Sequence, residues 1–328
     1  MKKDSILSSI TDLQYMFFFE VSIGVMANVA LLLFHVLKFL LKHRPRPTDL
    51  TIGHLALIHT VMLLTVGFIA MDMFGFQDLG DDITCKSVIY LYRVMRGLSI
   101  CTTCLLSVLQ AITLSPRSSC LAKFKQKSLH QNLCCFFFLW VLNMLTTGRF
   151  LISTVATPNV TSHSLMFVTR SCSLLPRNSS LKYISISLWG FQQMCFIGLM
   201  ALSSGYKVLL LCRHERQSQH LHSTSLSPKA SAEQRATRTI LLLMSFFIVM
   251  YILDSVIAST SEMLWNFDQI RHCVQLLVGN CYAAVSPLVL ISTERRVIRF
   301  LDPCGGKIVN VCKFSDGKFF WKATMDLN

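Results

Sequence analysis

Seven long apolar runs alternate with short polar segments along the chain, near 15–41, 49–71, 87–113, 132–155, 183–211, 239–261 and 273–293. A hydrocarbon core about 30 Å thick takes roughly 20 apolar residues in a helix, so each run is long enough to cross one. Backbone polar groups in lipid must be satisfied within their own segment, so the runs predict helices. The expected fold is all-α: a seven-transmembrane-helix bundle over 15–300, between a short N-terminal segment (1–14) and a C-terminal tail (301–328). The first run is too long for the core of a signal peptide and is followed by basic residues, so it reads as an anchor that stays.

Composition agrees with this pattern. The 328 residues are 52% hydrophobic and 15% charged, with a mean hydropathy of +0.52. A soluble domain carries about a quarter charged residues. The spans use more than half the chain and leave no room for a separate soluble domain.

A net charge of +14 raises nucleic acid as a partner. Its placement argues for a membrane instead. Segments 42–48, 114–131, 212–238 and 294–328 hold 19 Lys and Arg, against 7 in the alternate segments. The positive-inside rule then puts the N-terminus outside and the C-terminus inside. Lys2 and Lys3 point the other way, but Lys42, Arg44 and Arg46 oppose them directly across the first span. No nucleic acid is expected.

Of thirteen cysteines, most lie in or beside lipid or on the cytoplasmic side, as small buried hydrophobes. Cys85 and Cys172 fall in outer segments, where thiols oxidise. A bridge between them would tie the second outer loop over the mouth of the bundle; Cys273 is a rival partner. That loop also carries two N-x-[ST] sequons, at Asn159 and Asn178.

The third span holds two arginines, Arg93 and Arg96. An arginine near the centre of a membrane helix costs about 2.5–3.5 kcal/mol on insertion scales, so both should face the bundle or a wet cavity. Arg93, Arg96, Gly97, Ser107 and Gln110 fall roughly on one stripe. The pair is either a pocket wall for polar or anionic groups or a partner for an internal carboxylate. Asp254, at similar depth in the sixth span, is the candidate. Gln192 and Gln193 are further candidates to line the pocket; with Asn143, Arg149 and Asn280 they also suit bonds between helices.

Other features change the picture less. Thr48 or Asp49 suits the cap of the second helix, and Pro287 a kink in the seventh. His54 and His59, five apart, do not share a helical face, so no metal site is expected. No catalytic set or cofactor motif occurs. Phe17-Phe18-Phe19 and Phe136-Phe137-Phe138 read as lipid-facing bulk.

Seven spans with a cysteine atop the third and another in the second outer loop resemble a G-protein-coupled receptor. RGLSICTTCLLSVLQAITLSPRSS (96–119), GLMALSSGYKVLLLCRHERQSQHLHSTSLSP (198–228), RATRTILLLMSFF (235–247), LLVGNCYAAVSPLVLI (276–291) and His54-Leu55-Ala56 resemble the vomeronasal type 1 pheromone receptors. The likeness runs from about 15 to about 300. It implies a plasma-membrane receptor of vomeronasal sensory neurons for small chemosignals, volatile or sulfated-steroid-like, that acts through an inhibitory-type G protein. It also implies the Cys85–Cys172 bridge and glycosylation at Asn159.

Gln110-Ala111-Ile112-Thr113 stands where rhodopsin-like receptors carry Asp-Arg-Tyr, and Ser286-Pro287 where they carry Asn-Pro, so their ionic lock is not imported. Arg117, Lys125, Arg213, Arg216, Arg235 and Arg238 are the expected G-protein-facing cations. The family is expected to end soon after Phe300; the basic, aromatic Lys318-Phe319-Phe320-Trp321-Lys322 beyond it suits the anionic inner leaflet of membrane lipid. The rivals are a bitter taste receptor, which generally lacks the cysteine pair, and a transporter or channel, which favours repeated halves absent here.

Overall fold

The computed structural model describes residues 2–41, 47–116, 129–156, 166–167, 169–174, 179–220, 228–263 and 269–293. Eight helices run in order: α1 Lys2–Leu41, α2 Pro47–Met73, α3 Asp82–Leu114, α4 Leu129–Thr147, α5 Arg149–Ser153, α6 Ser179–His220, α7 Pro228–Met263 and α8 Gln269–Thr293. Between α5 and α6 lie three short strands, β1 Thr154–Ala156, β2 Met166–Phe167 and β3 Cys172–Leu174.

Among the described residues, six stretches are long and apolar enough to cross a membrane: Ile10–Leu41, Pro47–Met73, Asp82–Leu114, Gln131–Ser153, Ser187–Arg213 and Ile270–Ser292. The fourth joins α4 to α5 across Gly148. The seventh helix, α7, is 36 residues long, but its apolar stretch is the shorter Leu241–Ile257. Ser259, Thr260, Ser261 and Glu262 make one end polar, and Lys229, Arg235 and Arg238 the other. Two boundaries differ from the sequence expectation. α1 continues back to Lys2, and α2 begins at Pro47, whose fixed φ and missing N–H suit a first helical turn. Asp49 therefore lies inside that turn, where it pairs with Lys38 of α1 at 2.9 Å.

The bundle is built around α2 and α3. α2 packs against α1 and α3, α1 against α8, α3 against α6 and α4, and α7 against α8. Phe17, Ile58, Leu63, Val66 and Leu98 meet without solvent exposure in the main core. Phe17 is thus a core residue and not lipid-facing bulk; so is Phe136, while Phe19, Phe137 and Phe138 are exposed. Each run of three rings must place one ring inward, because successive positions on a helix are about 100° apart. Leu145, Leu202 and Leu209 are also exposed, as suits helices bathed in lipid.

Small residues let α1 approach α8. A Cβ on Gly24 would lie 2.7 Å from Leu63 Cδ1 and 3.0 Å from Ala284 Cα. The same approach lets Asn28 Nδ2 donate to Gly24 O at 2.8 Å and to Ala283 O at 2.9 Å.

The three strands form an antiparallel sheet in the order β1-β3-β2, with Thr154 opposite Leu174 and Met166 also opposite Leu174. It lies between α5 and α6, on the side of the α3 N-terminus, and the helical reading of the sequence does not include it.

Candidate ligand-binding site

Arg96 and Asp254 form an ion pair between α3 and α7, with side chains 14% and 8% exposed. Arg96 also donates to the Tyr92 hydroxyl one turn away, at 3.2 Å. Asn280 of α8 donates to the same hydroxyl at 3.2 Å and to Leu276 O at 2.7 Å. Three helices thus converge on one buried polar cluster. Gly279 makes room for it: a Cβ there would lie 2.8 Å from Arg96 Nη1 and 2.9 Å from Asp254 Oδ1. Only one carboxylate oxygen of Asp254 is used. Oδ1 is buried and has no hydrogen-bond partner among the described residues.

A cavity of about 30 Å³ opens beside the pair. That is room for about one water molecule. Arg96, Asp254 and Gly279 form its polar wall, and Met62, Ile100, Phe247 and Met250 its apolar one. Ser99 lines it too. His59 Nε2 lies 2.8 Å from Ser99 Oγ, and His59 Nδ1 lies 3.4 Å from Ser286 Oγ, next to Pro287. The cavity lining is therefore in hydrogen-bond contact with α2 and, through His59, with α8. His54 faces elsewhere: it stacks on Phe136 at 4.2 Å and accepts from Trp140 Nε1 at 3.0 Å. Among the described residues no cluster of His, Cys, Asp and Glu is placed to hold a metal ion.

A loop lid lies at the same end of the bundle as Cys85. The structure joins Cys85 to Cys172, so β3 is tethered to the first turn of α3. Cys273, the rival, is a buried free thiol. Ser171, beside the bridge, binds two carboxylates. Its N–H donates to Asp72 Oδ2 at 3.1 Å, and its hydroxyl contacts Asp72 Oδ1 and Asp78 Oδ1. Asp82 Oδ1 accepts from Ala156 N–H at 2.6 Å, which fixes β1. Asp81 caps α3 by accepting from Thr84 N–H at 3.2 Å. Hydrogen bonds from Ser171 and then Gly80 hold the Asp78 carboxyl below its ordinary range. Bonds from Thr84 do the same for Asp81.

The other candidates fall as follows. Arg93 does not join Arg96. It lies over the Phe150 ring at 4.9 Å, with Arg149 over the same ring at 4.6 Å. Gln192 donates to Asn143 Oδ1 at 3.4 Å, and Asn143 donates to Cys101 Sγ at 3.4 Å. Gln193 is buried, and neither of its amide atoms has a partner among the described residues. Neither glutamine lines the Arg96–Asp254 cavity.

Arg213 and Arg238 are exposed on α6 and α7. Arg216 and Arg235 belong to those helices, but their side chains are outside the described set. Asn159, Asn178, Arg117, Lys125 and the tail 301–328 lie outside the described residues.

Sequence reasoning missed Tyr92 and Gly279. It also missed Lys207, which is fully buried and donates to Ser107 Oγ at 3.1 Å and Gln110 Oε1 at 3.2 Å. A lone lysine inside an apolar run was a signal for it.

Proteins of one known family match this chain over nearly its full length. The model of the vomeronasal organ pheromone receptor family matches residues 11–303. Vomeronasal type-1 receptor 90 of Rattus norvegicus is 54% identical over 310 residues, 94% of this chain and all of the relative. Vomeronasal type-1 receptor 45 of Mus musculus is 50% identical over 301 residues, 92% of this chain and 94% of the relative. Vomeronasal type-1 receptor 43 of Mus musculus is 49% identical over 311 residues, covering 95% and 94%. With its membrane-length helices the chain is a multi-pass plasma-membrane protein, and it belongs to the vomeronasal organ pheromone receptor family.

Proposed function

We propose that this receptor, N-terminus outside and C-terminus inside, binds a small chemosignal in the cleft between α3, α7 and α8 and activates an inhibitory-type G protein. The observation that carries the reading is the buried Arg96–Asp254 pair beside a cavity, about midway along α3 and about three turns deeper than the bridge that tethers β3 to it. Membrane interiors rarely keep such charges without function.

The cavity of about 30 Å³ is far below the roughly 300–1,000 Å³ typical of ligand pockets. Occupancy therefore requires the helices to separate, and a ligand that binds the separated state better shifts the population toward it. α6 and α7 then move apart at the opposite end, where Arg213, Arg216, Arg235 and Arg238, with Arg117 and Lys125 of the second inner segment, meet the G protein. The tail, 301–328, lies on the cytoplasmic side, where the basic, aromatic Lys318-Phe319-Phe320-Trp321-Lys322 suits the anionic inner leaflet.

Calcium and cyclic-AMP recordings from cells expressing the receptor, across pheromone libraries and G-protein partners, test this. A response blocked by toxin inactivation of inhibitory G proteins is expected. Silence of a surface-expressed receptor with every library and partner contradicts it.

A further inference from the structure

We propose that the ligand is an uncharged amphipathic molecule whose hydroxyl donates a hydrogen bond to Asp254 Oδ1 while its apolar skeleton lies against Met62, Ile100, Phe247 and Met250. This rests on the reading that the α3–α7–α8 cleft is the ligand site, and adds the chemical class.

The argument starts from unequal satisfaction of the ion pair. Arg96 is engaged by Asp254 and by the Tyr92 hydroxyl. Asp254 has a side chain only 8% exposed, and its Oδ1 is buried with no donor among the described residues. Leaving a buried acceptor unsatisfied is costly, and a carboxylate oxygen more so than a neutral one. What the cleft lacks is therefore a donor.

An anionic ligand would have to displace Asp254 from Arg96. That would leave a second carboxylate oxygen stranded in the same dry space. The remaining nearby cations do not offer a substitute, because Arg93 and Arg149 are directed onto Phe150 and do not line the cleft. An ammonium ligand would satisfy Oδ1 but would lie against the Arg96 guanidinium. A hydroxyl satisfies the oxygen without either conflict. Met62 and Met250 line the cleft, and flexible thioethers re-pack around different skeletons. Specificity then comes from the one polar contact.

The test uses the purified full-length receptor in detergent and its thermal stability. Two matched series supply the probes: menthol, menthyl methyl ether and menthyl sulfate; and 1-adamantanol, 1-methoxyadamantane and 1-adamantanecarboxylate. We expect both alcohols to stabilise the wild type with half-maximal concentrations at least about tenfold below those of their ethers, as a bond to a charged acceptor allows. The anions should be weaker still. Asp254→Asn should bring alcohol and ether within about threefold of each other. The wild-type series stands even if that variant does not fold.

Equal effects of alcohol and ether, tightest binding by the anions, or no stabilisation by either alcohol overturns the proposal. Met250→Trp, which fills the cleft, separates the two levels. If it abolishes binding of whichever probe is preferred, the site stands and only the ligand class is decided. If binding survives it unchanged, the site itself is elsewhere.

Discussion

The Lys207 ammonium of α6 donates to Gln110 of α3 from a position with no solvent exposure. It donates to Ser107 as well, and the neighbouring Tyr206 hydroxyl bonds to Ser115 at 2.7 Å. These contacts hold α6 against α3 at the end away from the disulfide. Hydrogen bonds from a charged group contribute about 1.5–3 kcal/mol, enough to shift a two-state equilibrium about tenfold or more. Lys207→Met keeps the stem and removes the donors. The expected outcome is a several-fold rise in ligand-independent signalling at matched surface level, read as a lower forskolin-raised cyclic AMP level without ligand. A basal signal equal to wild type removes Lys207 from the closing contacts.

Gly279→Ala puts a methyl group against both members of the ion pair, at 2.8 and 2.9 Å. The ligand-bound state depends on that pair, so agonist potency should fall at least about tenfold while surface expression changes little. Overpacking of this kind costs about 1–3 kcal/mol. Dose–response curves normalised to surface antibody staining decide it, and an unchanged midpoint counts against the pair as part of the site.

The lid answers to acid in a defined window. Asp78 and Asp81 have folded-state pKa values below their ordinary ones, through bonds from Ser171 and Thr84. Groups lowered in this way stabilise the fold above the unfolded carboxylate pKa of about 4, and lose that contribution as pH falls through the folded value. Amide exchange at Gly80 and Thr84 should therefore stay flat from pH 8 to pH 5, after correction for intrinsic rates, and quicken only below about pH 4. Quickening between pH 7 and pH 5 would point to a different titrating group.

Cys172→Ser removes the tether between β3 and α3. A native disulfide closing a loop of this size is worth about 2–5 kcal/mol. The variant should lose much of its surface expression and melt several degrees lower in detergent. Cys273→Ser should cost far less, because Cys273 is a free buried thiol. Equal losses from the two variants contradict the pairing.

Six of the spans were legible because a helix in lipid needs about 20 apolar residues, whereas the expected run over 239–261 narrows to the shorter apolar stretch Leu241–Ile257 between polar ends. Asp254 was legible as a partner for the two arginines of the third span, but its depth matched Arg93, and the structure pairs it with Arg96, one turn deeper. Arg93 was not separable from Arg96 in sequence. Three residues turn a helix by about 300°, and that modest offset sends Arg93 to Phe150. In the sequence Asp72 is one of four aspartates between the second and third spans, with Asp78, Asp81 and Asp82, yet it is wholly buried and organises Ser171; only the fold of the lid reveals it. The sheet was hidden because strands of two or three residues carry no period. Gly279 was hidden because a glycine in an apolar helix gives no sign of what approaches it.

The most direct test is a charge exchange at the site. Arg96→Ala and Asp254→Ala should each abolish or strongly weaken agonist responses, since stripping one partner from a buried pair costs about 3–5 kcal/mol. The double variant Arg96→Asp with Asp254→Arg should regain surface expression and part of the response, because the pair is re-formed across α3 and α7. If both alanine variants reach the surface and respond to agonist with wild-type midpoints, the Arg96–Asp254 cleft is not where this receptor reads its ligand.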